Sequence, residues 1–355
     1  MKKHKIVYKS LVWPLFEKCV SDPLFRFVPR WIPANIITLF GNFCLFLSAF
    51  AGYALRNGAV SRWVWPVVPA LILIYCACDC WDGKQARRTN TSSPLGNFLD
   101  HYFDILVPMM IVPAFVFSYR IHDPLAVALI FIAVYLPLFA TYFEQYYTGM
   151  MYFETIGAFE FIVIFIIFSS LGYYDAPRDF FTKARWHSFS LIHLALIASG
   201  IGSLGFFVKN ICRSWARTKK WPLLFLLTLG AAAFFACRLF DPVVIVCAVG
   251  LYCASYTERF MLAYVKDKKA PLPDFLYPLL LALVFFFRDA LQLPPRFAAA
   301  AAAAYQLLSM AALFVYGFVP LRKGWILVNP PAPKEPAPEA APEAVPEALP
   351  EGGHV

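Results

Sequence analysis

Apolar residues occur along this chain in long runs of about twenty, and shorter polar segments separate the runs. A helix needs roughly 20 apolar residues to cross a hydrocarbon layer about 30 Å thick. The runs therefore predict an all-α polytopic membrane protein with ten transmembrane helices. Because ten is even, both termini are expected on one side of the membrane. The predicted spans are 34–55, 63–87, 96–119, 123–148, 155–174, 187–209, 221–238, 242–265, 273–293 and 297–320.

The two ends of the chain differ from this pattern. Residues 1–33 mix aromatic side chains with lysine and arginine, which predicts an amphipathic segment lying in the membrane interface. Residues 34–320 contain all of the predicted spans and form one transmembrane domain. Residues 321–355 are rich in proline, glutamate and alanine. Such a segment has too little apolar surface to fold, so we expect a disordered tail.

Composition excludes several other classes of protein. The chain is 60% hydrophobic and 15% charged, whereas a typical soluble domain is about 25% charged. Its nine cysteines fall mostly inside apolar runs, which does not suit a secreted disulfide framework. The net charge of +9 comes from lysines and arginines at the ends of apolar segments, where they suit anionic lipids. We therefore expect no nucleic-acid partner.

The distribution of positive charge also predicts the orientation. Most of the 31 lysines and arginines fall on one face if that face holds both termini and every second loop. Loops rich in lysine and arginine stay on the cytoplasmic side. The loops assigned to that side are 88–95, 149–154, 210–220 and 266–272.

Four aspartates lie at the facing ends of the second and third predicted spans. Asp79 and Asp82 are three residues apart, and Asp100 and Asp104 are four apart, so each pair shares one helix face. A short turn at 92–94 would return the second helix antiparallel to the first. Converging carboxylates repel one another unless cations lie between them, and hard oxygen ligands suit Mg²⁺ or Mn²⁺. The spacing therefore predicts a two-metal site of the kind used in phosphoryl chemistry.

Small residues extend this acidic face. Gly83 follows Asp79 by four residues and Ala86 follows Asp82 by four, which leaves room for a ligand to reach the backbone. The alternative is that the aspartates cap helices or are solvated, because Asp-Gly is an ordinary turn dipeptide. Four acids and two small residues at fixed offsets favour a functional site.

The stretch from Asp79 to Asp104 reads Asp-x2-Asp-Gly-x2-Ala-Arg-x8-Gly-x3-Asp-x3-Asp. This pattern resembles the motif of the CDP-alcohol phosphotransferases, and residues 31–41 and 82–101 are similar to its choline/ethanolamine phosphotransferase branch. The resemblance implies transfer of phosphocholine or phosphoethanolamine from CDP-choline or CDP-ethanolamine to diacylglycerol, with release of CMP. The expected partners are this donor, a diacylglycerol-type acceptor and membrane lipids, and a homodimer is a further possibility.

The resemblance also implies roles for individual residues. Two Mg²⁺ or Mn²⁺ ions would be held by Asp79, Asp82, Asp100 and Asp104. The base that accepts the proton of the lipid hydroxyl would be Glu160, His101 or Asp104. We favour Glu160, because a metal-bound carboxylate is a poor base. The residues expected to contact the donor are Asn35, Gly83, Lys84, Ala86, Arg87, Gly96 and Glu144.

Other interpretations stay open at this point. Tyr102 and Phe103 stand where the branch has glycine and cysteine, which leaves the size of the head group undecided. A different head group or acceptor, such as inositol or another polyol, would use the same chemistry. An ion-coupled transporter would also bury acids, but it predicts two matching halves, and 180–320 contains no second copy of the aspartate motif. We expect the membrane of the endoplasmic reticulum or Golgi in a eukaryote, or the inner membrane in a bacterium, with a cytoplasmic active site.

Overall fold

The computed structural model describes residues 5–8, 10, 12–58, 60–153, 158–183, 185–186, 189–218, 221–290 and 292–322. The predicted disordered tail therefore lies almost wholly outside the described residues. Two short strands, β1 (Lys5–Tyr8) and β2 (Met150–Phe153), pair in parallel. A second pair, β3 (Arg185–Trp186) and β4 (Phe189–Ser190), is antiparallel.

The rest of the described chain is almost entirely helical. Two π-helical turns, Glu17–Ser21 and Val246–Gly250, and one 3₁₀ turn, Arg62–Val64, connect some of the helices. The α-helices are α1 (Val12–Phe16), α2 (Asp22–Phe25), α3 (Ala34–Arg56), α4 (Val67–Arg88), α5 (Pro94–Leu106), α6 (Pro108–Ser118), α7 (Pro124–Thr148), α8 (Ala158–Leu171), α9 (Asp175–Lys183), α10 (Leu191–Thr218), α11 (Trp221–Leu239), α12 (Pro242–Ile245), α13 (Leu251–Val265), α14 (Leu276–Phe287) and α15 (Pro295–Leu321).

The all-α membrane class is confirmed, and the count of ten spans stays a prediction. Within the described ranges, seven helices are long and apolar enough to cross a membrane. Each of the other three predicted segments contains a further apolar helix, α8, α10 or α14. Phe159–Leu171 forms a pair with α9 that is bent by 115°, which gives at most an eighth span. Helix α14 is 12 residues long and ends directly before the charged pair Arg288 and Asp289, whereas α10 runs over 28 residues that include the apolar segment Ile197–Cys212.

Glycines on α3 let this helix approach its neighbours closely. A side chain at Gly41 would come within 2.8 Å of Cys78 Cβ on α4, and one at Gly52 within 2.5 Å of the Ala114 carbonyl oxygen on α6. Small residues at helix interfaces allow this backbone approach in membrane proteins. The result fixes the N-terminal end of α3 beside the C-terminal end of α4, where two of the aspartates lie.

The N-terminal segment lies against the C-terminal end of α4. The indole of Trp81 donates to the Ser21 carbonyl at 3.0 Å, and the Gln85 amide donates to the Ile32 carbonyl at 2.6 Å. Phe27 is 82% exposed although it is aromatic. An exposed aromatic residue beside bonded backbone is compatible with the predicted interfacial position, and the domain boundary at 33 stays a prediction.

The helix directions generate a prediction about topology. Ala176 lies at the end of the bundle where α3 and α6 finish, and Lys269 lies beside the end of α7, where the Tyr146 hydroxyl donates to the Lys268 carbonyl at 2.7 Å. After replacement of the exposed Cys19 and Cys212 by serine, an impermeant maleimide should label Ala176→Cys and Lys269→Cys from opposite sides of sealed vesicles. Labelling of both from one side contradicts this topology.

Candidate active site

Helices α4 and α5 form the antiparallel hairpin that the spacing of the aspartates predicts. Asn90 has a left-handed backbone (φ 53°), which ends α4 in the manner of a C-cap. Ser93 is the N-cap of α5, and its hydroxyl accepts from the Gly96 N–H at 3.0 Å. Pro94 occupies the first helical position, where its missing N–H costs nothing. This turn brings the two acidic helix faces together.

Three of the four aspartates converge. One carboxylate oxygen from each of Asp79, Asp100 and Asp104 lies within 4.8 Å of the other two, and all three side chains are half-buried. The Tyr75 hydroxyl is 3.5 Å from Asp79 Oδ1 and 3.4 Å from Asp104 Oδ1. Among the described residues, no lysine or arginine forms an ion pair with these acids. Clustered oxygen donors without a counter-charge fit a divalent cation.

Asp82 is held differently. Its Oδ2 accepts from the Thr38 hydroxyl at 2.6 Å, and its Oδ1 accepts from the Gly83 N–H at 2.5 Å. Its side chain is buried and lies outside the group of three carboxylates. The geometry therefore supports one site of three acids, and the role of Asp82 as a fourth ligand stays a prediction.

A cavity of about 210 Å³ opens next to these acids. Asp82 and Asp100 lie on its wall, so it adjoins the carboxylate cluster. The Arg87 guanidinium comes near the backbone of Gly83, since a side chain at that glycine would lie 3.4 Å from Arg87 Nη1. Predicted donor-contact residues that line the cavity are Asn35, Gly83, Ala86, Arg87 and Gly96.

Two other predicted donor-contact residues lie elsewhere. The Lys84 ammonium forms ion pairs with Glu17 at 2.7 Å and with Asp22, both in the N-terminal segment. Glu144 is buried within α7 and does not line the cavity. Contacts of Lys84 or Glu144 with the donor therefore remain predictions that the present geometry does not favour.

The three candidate bases occupy different surroundings. Asp104 belongs to the carboxylate cluster. The His101 ring on α5 packs edge-on against Tyr142 with 6.2 Å between centroids. Glu160 lies on α8, where its carboxylate accepts from the Ser10 hydroxyl at 2.5 Å and from the Val12 N–H at 3.5 Å. The structure thus places Asp104 in the cluster, packs the His101 ring against Tyr142 and holds Glu160 against the N-terminal segment.

Glu258 on α13 is a residue that the sequence analysis did not single out. It is fully buried, and neither carboxylate oxygen has a hydrogen-bond partner within the described part of the chain. Tyr142 lies within electrostatic range of both Glu258 and Asp104. The signal was present in the sequence, because an acid inside an apolar span is costly and is by default a candidate functional residue.

The packing of Tyr102 accounts for one departure from the motif of the branch. Its hydroxyl donates to the Met310 carbonyl on α15 at 3.2 Å, and its ring packs against Phe314 with 5.0 Å between centroids. A side chain at Gly317 would clash with the Phe98 ring, so α15 lies close to α5. The large residue at position 102 therefore joins α5 to α15.

Comparison with known proteins agrees with this arrangement. The family model described as CDP-alcohol phosphatidyltransferase matches residues 31–251, and the chain belongs to this family. A choline/ethanolaminephosphotransferase 2 from Arabidopsis thaliana is 42% identical over 113 residues, 30% of this chain and 28% of that protein. Ethanolaminephosphotransferase 1 from Homo sapiens is 32% identical over 144 residues, 37% of this chain and 36% of that protein.

A third relative matches over a longer stretch of the chain. The uncharacterized CDP-alcohol phosphatidyltransferase class-I family protein 3 from Dictyostelium discoideum is 32% identical over 176 residues, 47% of this chain and 43% of that protein. In all three comparisons the chain spans less than half the length of the relative. The resemblance to the family is confirmed, and the donor and acceptor remain to be proposed.

The carboxylate cluster predicts metal-dependent stability that Asp100→Asn abolishes. A ligand that binds only the folded state stabilises it by about 2.7 kcal/mol at roughly 100 times its Kd. Mn²⁺ should therefore raise the thermal midpoint of the wild type and leave that of Asp100→Asn nearly unchanged. Asp267→Asn is the matched control, since Asp267 is exposed, lies outside the cluster and has a left-handed backbone that asparagine tolerates. An equal Mn²⁺ response in Asp100→Asn contradicts the assignment.

The isolation of Glu258 predicts a gain in stability on its removal. Burial of a polar group without a hydrogen bond costs about 1–3 kcal/mol by mutational data. Glu258→Met has a similar volume and no polar group, so its thermal midpoint should exceed that of the wild type. Glu258→Gln should gain less, because its amide still lacks partners. A lower midpoint for Glu258→Met would show that the folded protein satisfies this carboxylate.

Proposed function

We propose that this protein transfers phosphocholine or phosphoethanolamine from its CDP ester to diacylglycerol and releases CMP. The observation that carries the proposal is the cavity lined by Gly83, Ala86 and Arg87 directly beside the converging carboxylates. The cavity gives the nucleotide space along a helix backbone, and Arg87 supplies positive charge for the phosphates of a nucleoside diphosphate ester. The names of the plant and human relatives support the choice of head group.

The residues around the cavity suit a CDP ester. Glycine and alanine at 83, 86 and 96 leave the helix backbones accessible to a flat base and a sugar. The Arg87 guanidinium offers a planar set of donors that matches phosphate oxygens. The Asn35 side chain lies near Gly96, where an added Cβ would meet its Oδ1 at 3.2 Å. Its amide is therefore available at the wall for polar contact with the nucleotide.

Asp79, Asp100 and Asp104 would hold the divalent metal, with Asp82 next to them at the cavity wall. When bound, such a metal neutralises phosphate charge and makes CMP a better leaving group. The protein's part is to fix the acids: the Thr38 hydroxyl and the Gly83 N–H orient Asp82, and Tyr75 lies within reach of Asp79 and Asp104.

The transfer itself replaces one phosphorus–oxygen bond by another. The acceptor hydroxyl oxygen forms a bond to the phosphorus that carries the head group, the bond from that phosphorus to the CMP oxygen breaks, and the hydroxyl proton passes to a base. Of the three candidate bases, His101 is next to Asp100 on the same helix and is not itself a carboxylate of the cluster. We propose His101 as the first residue to test, with Glu160 as the alternative.

The function is tested by CMP release from purified protein in lipid nanodiscs. A panel of CDP-choline, CDP-ethanolamine, CDP-glycerol and free inositol with CDP-diacylglycerol should give CMP only with the first two donors, and only when diacylglycerol is present. A preference for inositol or another polyol would keep the family chemistry and overturn the proposed head group. Absence of CMP from every pair would overturn the transferase assignment.

The identity of the base predicts a difference between two variants. Loss of a general base typically slows turnover by about 10²–10⁴-fold while substrate binding is kept. His101→Gln should therefore lower kcat by that range with little change in donor affinity. Glu160→Gln should keep kcat near that of the wild type, as should Ser10→Ala, which removes the hydroxyl that donates to Glu160. A large kcat loss in Glu160→Gln, with Ser10→Ala normal, would instead identify Glu160 as the base.

A further inference from the structure

A second cavity, of about 490 Å³, lies at the opposite ends of the helices that carry the aspartates. Leu55 near the end of α3, Trp65 just before α4 and Ser118 at the end of α6 are on its wall. Along α4 the distance from Trp65 to Asp82 is about 25 Å at the helical rise of roughly 1.5 Å per residue. The cavity therefore faces the other side of the membrane and is separate from the active site.

Basic residues dominate the polar lining of this cavity. Arg62, Arg120, Arg178 and Lys183 lie on its wall, with Asp179 as the acid among the lining residues. Lys183 pairs with Asp179 at 2.7 Å, and Arg178 pairs with Asp175. The other two arginines of the lining, Arg62 and Arg120, take no part in these ion pairs.

Arg62 and Arg120 have no acidic partner within the described ranges. Arg62 lies over the Tyr173 ring, 5.3 Å from its centroid, and Arg120 donates to the Leu55 carbonyl oxygen at 3.3 Å. Both side chains are exposed at the cavity. A guanidinium has five N–H donors, so each arginine keeps donors for an anion. Together they give the cavity an excess of positive charge.

Aromatic residues place the cavity at the membrane surface. Trp65 packs against Tyr119 and Trp63 packs against Tyr173, each with 5.5 Å between ring centroids. Trp63 is 67% exposed. Tryptophan and tyrosine concentrate where the hydrocarbon layer meets the head groups. The cavity therefore opens at the depth where lipid phosphates lie.

The backbone conformation of Arg120 also supports a functional role for this residue. Arg120 has φ 53°, in the left-handed region that favours glycine, and it follows the last turn of α6. A non-glycine residue there is uncommon, and such a residue often marks a functional position. The chain thus keeps a long cationic side chain at a position where glycine would fit the backbone better.

We propose that the cavity lined by Arg62, Arg120, Arg178 and Lys183 binds an anionic phosphate group, that of a membrane lipid head group. Arginine and lysine bind phosphate oxygens through charge-assisted hydrogen bonds, and arginine does so with a matching planar geometry. The aromatic surroundings favour a lipid over a soluble phosphate, because they hold the cavity at head-group depth. This site is independent of the proposed catalytic function.

The test is native mass spectrometry of the full-length protein with phosphatidylglycerol and phosphatidylcholine. The variant Arg62→Gln/Arg120→Gly removes both arginines without an acidic partner, and glycine suits the backbone at 120. Arg238→Gln is the matched control, since Arg238 stacks on Phe234 outside the cavity. It lies at the same membrane face, because the neighbouring Cys237 Sγ is 3.6 Å from the Pro124 carbonyl oxygen.

Wild type and Arg238→Gln should bind one phosphatidylglycerol at least about tenfold more tightly than phosphatidylcholine, and the double variant should lose this preference. Loss of one charged hydrogen bond suffices for a change of that size. Displacement by millimolar inorganic phosphate would identify free phosphate as the ligand of the same site. An unchanged preference in the double variant, or an equal loss in Arg238→Gln, would overturn the proposal.

A second measurement keeps all of the arginines and therefore does not depend on whether the double variant folds. Brominated phosphatidylglycerol should quench tryptophan fluorescence more strongly than brominated phosphatidylcholine, because Trp65 lines the cavity. Trp65→Phe should remove most of that difference. Equal quenching by the two lipids in the wild type would contradict an anion site beside Trp65.

Discussion

The structure depends on the convergence of carboxylates at the end of an antiparallel helix pair inside a membrane protein. Asp79, Asp100 and Asp104 approach to within 4.8 Å without a paired lysine or arginine among the described residues. Like charges at this separation repel strongly where water is scarce. A cation would relieve that repulsion and link α4 to α5 where their acids converge. Under the proposed function, the neighbouring cavity would hold the donor so that its phosphates share this cation.

The surrounding helices hold the converging carboxylates in place despite their repulsion. Gly41 and Gly52 let α3 contact α4 and α6 at backbone distance, which brings the Thr38 hydroxyl to Asp82. The N-terminal segment adds bonds from Trp81 and Gln85 and engages Lys84 through its own acids. The end of α4 that carries Asp79 and Asp82 is therefore held on several sides. The opposite end of the same helix lies at the basic cavity, so one helix connects the two membrane faces.

Local spacing predicted much of the site, and long-range contacts account for most of what it could not predict. The intervals within 79–104 predicted the helix hairpin and its acidic faces, because side chains three or four residues apart share a helix face. No interval could show that Thr38 binds Asp82 or that Ser10 binds Glu160, since these pairs are 44 and 150 residues apart. Glu258 could have been singled out from the sequence, because an acid in an apolar span is a candidate functional residue.

The span count shows a similar limit. Hydropathy located every apolar segment, but it could not detect the 115° bend between Phe159–Leu171 and α9. It also did not show that α14 stops at Arg288. Apolar length alone therefore does not establish how many of the ten predicted segments cross the membrane.

The central claim is that the aspartate cluster binds the CDP-alcohol donor through a divalent metal. The most direct measurement is calorimetric titration of the purified protein with CDP-choline or CDP-ethanolamine, in Mg²⁺ and again in excess chelator. The account predicts measurable affinity in Mg²⁺ and loss of binding in chelator, because the uncompensated carboxylates then repel the diphosphate. Equal affinity under both conditions would contradict it.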